Sequence, residues 1–144
     1  MTTTFLNPRD VHAPVGLYSH TAVVQSGSEL VFVSGQVGMR ADGTVPASFA
    51  EQTELTFQNL RACLAAHGLG MEAVVKLGVF ILPGQDFQVL REARARHFGS
   101  HRPTSTSVYV PQLAAPSLLL EIEAIAAKRP SAHVEPLGPL LGEV

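Results

Sequence analysis

The sequence has a single cysteine, Cys63, and no tryptophan among its 144 residues. A lone cysteine cannot form an intrachain disulfide bond, so the sequence carries no mark of an oxidising compartment. The first ten residues, MTTTFLNPRD, lack the basic segment and apolar run of a signal peptide. No apolar stretch approaches the roughly 18 residues that a membrane span requires. We therefore expect a cytoplasmic protein with no membrane partner.

Charge is also scarce, since charged residues make up 15% of the chain and the net charge is −2 at pH 7. Nucleic-acid-binding proteins usually carry a basic stripe, because phosphate contacts dominate their affinity. The arginines here are scattered, so no nucleic-acid partner is expected. Hydrophobic residues reach 46%, a balance that separates the chain from disordered proteins. The length fits one domain, and the low charge fraction indicates that some apolar surface is covered in an oligomer.

Apolar and β-branched segments between turn residues predict the strands. The predicted strands are 21–25, 29–34, a short one near Val45, 74–82, 105–110 and 118–126. The first two are separated by Ser26-Gly27-Ser28 and are typical of a hairpin. Residues 1–17 contain several proline and glycine residues and are expected to form an extended lead-in.

Two further segments predict helices, because apolar residues recur there every three or four positions. The first helix follows Ser48, whose hydroxyl can accept a hydrogen bond from the Glu51 amide in a capping box. Gly68 is suited to its C-terminal end. Asp86 can cap the second helix, and Gly99 can end it.

The predicted order is β-β-β-α-β-α-β-β. Two helices cannot cover both faces of such a sheet, so we expect an α+β fold with one mixed sheet and both helices on one face. The other face then requires a partner, and the apolar strand 118–126 indicates that this partner is another copy of the chain. Residues 129–144 show no clear period. We expect a domain over residues 1–128 and a C-terminal tail over 129–144, mobile or draped over a neighbour.

Several residues could carry chemistry. His97 and His101 have a metal-like spacing, but Gly99 interrupts the helix that would align them, so the pattern favours helix-end histidines and no metal site. Cys63 lies between Leu60 and Leu64 on the first helix. A nucleophilic thiolate needs exposure and a lowered pKa, so a small buried residue is the better interpretation.

Glu121 and Glu123 alternate with Leu120, Ile122 and Ala124, so both carboxylates face the same side of their strand. They could mark a solvent-facing edge of the sheet, or they could position water in a cleft. The pattern leaves both alternatives open.

Tyr18 could likewise be a core ring or a pocket hydroxyl. In the strand that follows Pro103, Ser105, Ser107 and Tyr109 share one face.

Several short motifs occur together, in order, over about residues 7–128. They are Gly16-Leu17-Tyr18-Ser19, Val33-Ser34-Gly35-Gln36, Gln52 with Asn59-Leu60, Val74-Val75-Lys76, Asp86-Phe87, Arg102-Pro103 and Glu121-Ile122-Glu123-Ala124-Ile125-Ala126. In this combination the sequence resembles the RidA/YjgF family of small imine and enamine deaminases, also known as the endoribonuclease L-PSP type.

The resemblance implies a chorismate-mutase-like homotrimer with its helices outside and ligand clefts between subunits. It also implies a hydrolase without a cofactor, which converts a reactive imine such as 2-iminobutanoate or 2-iminopropanoate to the ketone and ammonia. Tyr18 would line the pocket, and Glu121 would hold the attacking water. Ser34, Gly35 and Gln36 would shape the wall.

One family position differs here. The arginine that grips the substrate carboxylate corresponds to Ser105, and the next pocket position, often cysteine, is Ser107. Arg102 lies three residues away, on the opposite face of a regular strand. We therefore expect a neutral cleft that binds anionic 2-imino acids poorly and suits a neutral, cationic or larger ligand.

The missing arginine leaves the activity open between two alternatives. One is a hydrolytic deaminase, and the other is a non-catalytic trimeric protein that binds a small molecule. The ribonuclease activity attached to parts of this family fits poorly with the acidic charge balance.

Overall fold

The computed structural model describes residues 2–130. Six strands, two α-helices and one short 3-10 turn succeed one another along these residues. They are β1 Thr3–Leu6, β2 Thr21–Val24, β3 Glu29–Gln36, α1 Phe49–Ala65, the 3-10 turn Met71–Ala73, β4 Val74–Ile81, α2 Phe87–Phe98, β5 Thr104–Tyr109 and β6 Leu120–Lys128.

Four strands form a mixed sheet in the order β3-β6-β4-β5. The strand β6 is antiparallel to both of its neighbours, whereas β4 and β5 are parallel and are connected through α2. A parallel pair needs such a crossover, because a tight turn can only reverse the chain. The sheet thus ends at β5, and α2 leads directly into this edge strand.

The hydrophobic core lies between one face of this sheet and the two helices. Alternate residues of β4 and β6 are buried there together with the apolar sides of both helices; among them are Leu77, Val79, Ile81, Leu120, Ile122, Phe57, Leu60, Leu90 and Phe98. The predicted α+β class, with a mixed sheet and two helices, is confirmed.

The opposite face of the sheet is open in the single chain. Phe32 on β3 is 72% exposed, and Lys76 and Glu123 on the two central strands are exposed as well. Exposed aromatic surface on a sheet face is typical of an interaction surface.

The N-terminal half differs from the expectation in its strand pairing. β2 pairs with β1, with Thr3 opposite Val24 and Leu6 opposite Thr21, and not with β3. The predicted hairpin is therefore wrong, although the turn forms: Ser28 N donates to Gln25 O and Gly27 has a φ of 84°.

Two smaller expectations also fail in this half. The segment near Val45 is not a strand, and the supposed lead-in contains β1. Strand propensity gives no information on the pairing partner, because that partner is set by contacts distant in sequence.

The helix ends follow the capping residues. Ser48 Oγ accepts a hydrogen bond from Glu51 N at 3.0 Å, and Asp86 Oδ1 accepts one from Gln88 N at 3.0 Å. Gly99 follows α2 with a positive φ of 58°, a conformation that glycine adopts at little cost. These predicted boundaries are confirmed, because capping depends on residues only a few positions apart.

Gln52, fully buried in α1, anchors the segment that leads into β6. Its Nε2 donates to the carbonyl oxygens of Pro46 at 2.9 Å and Ser117 at 2.8 Å. Its Oε1 accepts from Leu119 N at 2.9 Å. The amide thus uses both ends to fix the strand that carries Glu121.

Within residues 2–130, neither helix is long and apolar enough to cross a membrane. The predicted tail lies outside the described residues except for positions 129 and 130. Its boundary and its contact with a neighbour remain predictions.

Candidate functional site

A cavity of about 350 Å³ lies between the edge strand β5, the helix α2 and the segment 15–18. Most of its wall is apolar, from Val15, Leu17, Phe57, Leu77, Val79, Phe87 and Leu90. Its polar side chains are those of Tyr18, Arg91, Arg94, Ser105 and Ser107. A small, mostly apolar cavity with a few converging polar groups is typical of a ligand site.

The parallel register of β4 and β5 places the two serines in this cavity. Ser105 is paired with Leu77, and Ser107 with Val79. Residues paired in register point to the same side of a sheet, and Leu77 and Val79 point toward the helices. The hydroxyl face of β5 therefore meets the cavity, as the sequence predicts for a ligand-facing strand.

Tyr18 reaches the cavity because the next residue is tied to the start of β5. Ser19 N donates to Pro103 O at 3.2 Å, and Ser19 Oγ donates to Arg102 O at 2.6 Å. The Tyr18 hydroxyl accepts from Val15 N at 3.3 Å. Since that hydroxyl keeps its own proton, it can still donate to a ligand.

Glu121 lies on the other face of the sheet. It sits between Leu120 and Ile122, which are both fully buried beneath the helices, so its own side chain points to the open face. Gly35 borders it closely, because a Cβ atom at that position would lie 2.6 Å from Glu121 Cδ.

Ser34 and Gln36 do not line the cavity either. Ser34 borders a separate surface depression together with Lys76 and Glu123. Gln36 Nε2 donates to Ser34 O at 3.1 Å. The seven predicted site residues are therefore not together within one chain: Tyr18, Ser105 and Ser107 line the cavity, and Ser34, Gly35 and Glu121 lie on the open face. Gln36 is paired with the buried Ile122, so it lies on the helix side of the sheet but outside the cavity lining.

Arg94 is the cavity residue that the sequence interpretation missed. Its Nη1 donates to Ser105 Oγ at 3.0 Å. Its Nε and Nη2 atoms are buried and have no hydrogen-bond partner among residues 2–130. Burial, and secondarily the nearby charge of Arg102, lower the pKa of Arg94 to about 10, so the guanidinium is still charged at neutral pH.

The prediction of a neutral cleft is therefore wrong, because α2 supplies a cation beside Ser105. A signal for it was present in the sequence. Arg94 follows Phe87 and Leu90 at helical spacing, so it occupies the inward stripe of the helix. A charged residue on an inward stripe is unusual, since burying a charge is costly.

Arg102 does not replace the family arginine. Its Nη1 donates to the backbone carbonyl oxygens of Gly99 and His101, and its side chain lies outside the cavity. This agrees with the expectation from strand alternation.

The histidines and the cysteine have structural contacts. His97 Nε2 is hydrogen-bonded to Glu54 Oε1 at 2.9 Å, and His101 Nε2 donates to Val74 O at 2.7 Å. Cys63 packs against the core. Among residues 2–130, no group of three or more His, Cys, Asp or Glu side chains is arranged to hold a metal ion.

The sequence matches the model of the family described as "Endoribonuclease L-PSP" over residues 10–128. The chain is 34% identical over 120 residues to the Escherichia coli K12 protein named "Putative reactive intermediate deaminase TdcF", covering 81% of this chain and 92% of that protein. It is 32% identical over 117 residues to the RutC family protein PH0854 of Pyrococcus horikoshii, covering 80% and 90%.

Solved structures agree with these matches. The Rid family protein YyfB of Yersinia pestis, whose function is described as unknown, superposes with a TM-score of 0.78 at 26% identity, covering 88% of this chain and 98% of that one. The crystal structure of E. coli TdcF with bound serine gives a TM-score of 0.66 at 32% identity, covering 88% and 99%. The chain therefore belongs to the endoribonuclease L-PSP family, the RidA/YjgF family that its motifs indicate.

Proposed function

We propose that the chain is a hydrolase of small reactive imines or enamines, which acts in a cleft between the subunits of a homotrimer. The observation that carries the proposal is the division of the polar groups between two faces of one sheet. Tyr18 and the two serines line the cavity, and Glu121 is presented on the open face. A second copy that covers the open face could bring its Glu121 carboxylate to the cavity of the first.

The chemistry requires water to add to the carbon of the C=N bond. The Glu121 carboxylate accepts a hydrogen bond from this water and takes its proton as the C–O bond forms. Glu121 then passes this proton to the nitrogen, which gives a tetrahedral adduct with one hydroxyl and one amino group. The carboxylate next takes the hydroxyl proton and delivers it to the amino group, so that the C–N bond breaks, ammonia leaves and the ketone forms. Hydrogen-bond donors at the cavity, among them the Tyr18 hydroxyl, stabilise the charge that develops.

The shape of the chain supports assembly of this kind. The open face carries exposed apolar side chains, and β5 is an edge strand in the described sheet. Exposed apolar faces and free strand edges are surfaces that proteins usually cover. A cyclic trimer would cover both in each copy.

The relatives support the reaction class. One of them bears the name of a reactive intermediate deaminase, and its crystal structure contains serine, a small amino acid. We expect this chain likewise to take a small amino-acid derivative, with no cofactor and no nucleic-acid partner. A cytoplasmic location remains a prediction, since one relative in Saccharomyces cerevisiae is the mitochondrial protein MMF1.

A second function is favoured by one observation: among residues 2–130, no carboxylate side chain lines the cavity. If assembly leaves Glu121 away from the cavity, the protein would bind a small molecule without turning it over. Ligand-dependent stabilisation without ammonia release would identify this alternative.

The test is ammonia release from imines that an amino-acid oxidase generates in situ. The wild type should raise the rate above the spontaneous hydrolysis. The Glu121→Gln variant should lower the enzymatic rate by about a hundredfold, within the range of general acid–base catalysis. Glu123→Gln, two positions along the same strand face, is the matched control and should retain activity.

Sedimentation of all three proteins checks that they have the same assembly. Ammonia release at the spontaneous rate by an assembled wild type would contradict the hydrolase proposal. Equal losses in the two glutamine variants would contradict the role of Glu121.

A further inference from the structure

The arrangement of Arg94 in the cavity points to a specific group on the ligand. We propose that Arg94 binds the carboxylate of a small ligand, from α2 rather than from the strand position that Ser105 occupies. The assignment deepens the proposed function, and it rests on that proposal for the identity of the cavity. It does not require that turnover occurs.

The unpaired edge of the guanidinium has the correct geometry for a carboxylate. Its Nε and Nη2 atoms are buried in the single chain, so a ligand in the cavity reaches them through a shift of the Arg94 side chain. Nη1 is engaged by Ser105 Oγ, so the hydrogen bonds still to be made are those of Nε and Nη2. These two N–H groups lie on one side of the planar group and point in the same direction. That pair matches the two oxygens of a carboxylate in a bidentate contact.

Ser105 thereby acquires a positioning role. A long arginine side chain loses rotamer freedom when it is fixed, and the hydrogen bond at 3.0 Å holds the guanidinium against the strand. The serine that replaces the family arginine thus orients an arginine from the helix. The cavity therefore still contains a guanidinium, but it belongs to Arg94, which precedes the family's arginine position, Ser105, by 11 residues.

The electrostatic surroundings favour an anion. Arg91 is a second guanidinium in the cavity wall, and no Asp or Glu side chain of the described part of the chain belongs to the lining. Arg102 adds positive charge near Arg94. A buried charge without a counter-ion is costly, and an incoming carboxylate removes that cost.

The remaining wall defines the rest of the ligand. Val15, Leu17, Phe87 and Leu90 form apolar surface around the same cavity. Its volume of about 350 Å³ lies at the small end of the usual range for ligand pockets, roughly 300 to 1,000 Å³. The ligand is therefore a small carboxylate with a short apolar side group.

The experiment is calorimetric titration of the 144-residue chain with 2-oxobutanoate and with its uncharged amide, 2-oxobutanamide. The ketone is stable in water and corresponds to a product of the proposed reaction. Wild-type protein should bind the carboxylate at least about tenfold more tightly than the amide, the effect of losing a charge-assisted contact. Equal affinities would overturn the proposal.

Two single variants locate the contact. Arg94→Met, which keeps the length of the side chain but removes the charge, should weaken carboxylate binding about tenfold to hundredfold and leave amide binding nearly unchanged. Arg96→Met, on the same helix but outside the cavity lining and with a side chain that is 62% exposed, is the matched control and should change binding by less than about threefold. If the Arg96 variant loses as much affinity as the Arg94 variant, the assignment is wrong.

A double variant tests the relocation directly. Arg94→Ser combined with Ser105→Arg returns the guanidinium to the strand and should recover at least about tenfold of the lost affinity. Ser105→Arg alone places two guanidinium groups together and should not improve binding. If the double variant binds the carboxylate no more tightly than Arg94→Ser does, the proposal that a guanidinium from α2 takes the place of one on the strand is wrong.

Thermal unfolding and sedimentation without ligand separate binding from a structural role. Removing an unpaired buried charge should leave the Tm of Arg94→Met unchanged or raised. A lower Tm with loss of assembly would show instead that Arg94 pairs with a carboxylate of another copy, which overturns the proposal. If binding of the carboxylate depends on Arg94 but no ammonia is released, only the hydrolase proposal is rejected. If ammonia is released but binding does not depend on Arg94, only the assignment of Arg94 is rejected.

Discussion

Gly35 lies directly against Glu121, so closely that a Cβ atom on Gly35 would be 2.6 Å from Glu121 Cδ. The register between β3 and β6 shifts by one residue between Val33 and Gln36, as in a β-bulge. Bulges re-aim side chains and are common next to functional sites. The glycine and the bulge together make room for the Glu121 carboxylate on the open face.

Gly35→Ala should therefore displace the Glu121 carboxylate and lower ammonia release by about tenfold or more, since small displacements of reacting groups are costly to catalysis. Gly78→Ala is the matched control. Its Cβ atom would lie 2.7 Å from Oε1 of Glu123, which has no proposed role. Both variants should lose some stability, but only Gly35→Ala should lose activity.

The rate of ammonia release, measured at equal concentrations of folded protein, separates the loss of activity from the loss of stability. A Gly35→Ala variant with wild-type turnover would contradict the role of Glu121.

The buried Gln52 should contribute strongly to stability. Gln52→Leu leaves the carbonyl oxygens of Pro46 and Ser117 and the N–H of Leu119 without their partner. We expect the free energy of unfolding to fall by roughly 2 to 4 kcal/mol, since each unsatisfied buried polar group is costly. Gln58→Leu, exposed on the same helix, should change it by less than about 0.5 kcal/mol. Urea denaturation at one fixed protein concentration measures both, and similar values for the two variants would argue against this network.

Glu54 should make the stability of the protein depend on pH in the acid range. Burial acts to raise the pKa of its carboxyl, but Arg96 and His97 outweigh this effect and lower the pKa below its ordinary 4.5. Because the folded-state pKa is depressed, the stabilisation is complete above about pH 4.5 and is lost as the pH falls through the folded-state value.

Melting curves between pH 3 and 7 measure this dependence. Glu54→Gln should be less stable than the wild type at pH 7, and the difference should shrink as the pH falls below 4.5. A difference that stays constant over this range would contradict the ionic contribution of Glu54.

Phe32 should be required for assembly through the open face. It is 72% exposed in the single chain, and a charge at the centre of an apolar interface is costly to bury. Phe32→Glu should shift the protein from the proposed trimer to a monomer in sedimentation velocity, and it should abolish the proposed ammonia release. Gln58→Glu, on the outer surface of α1, should leave the assembly intact. A trimeric Phe32→Glu variant would exclude the open face as the contact surface.

The helices, five of the six strands and the capping residues follow from the sequence. Periodicity, β-branching and caps depend on residues within a few positions of one another, so Ser48, Asp86 and Gly99 mark element ends correctly. The pairing of Thr21–Val24 with Thr3–Leu6 does not follow, because the pattern of a strand gives no information on which distant segment supplies its hydrogen bonds.

The features of the candidate site can likewise be separated into those that the sequence predicts and those that it does not. Alternation along one strand suffices to place Ser105 and Ser107 together, and to place Glu121 opposite the buried Leu120 and Ile122. The family motifs identify these positions, but the serine at the family's arginine position suggests a cleft without a cation.

The position of Arg94 depends on how α2 packs against β5. Its guanidinium reaches Ser105 only because the crossover helix lies over the edge strand and turns its inward stripe toward the cavity. Local sequence patterns fix which side of an element a residue occupies. Contacts between elements, which depend on the packing of the whole chain, determine what that side chain meets.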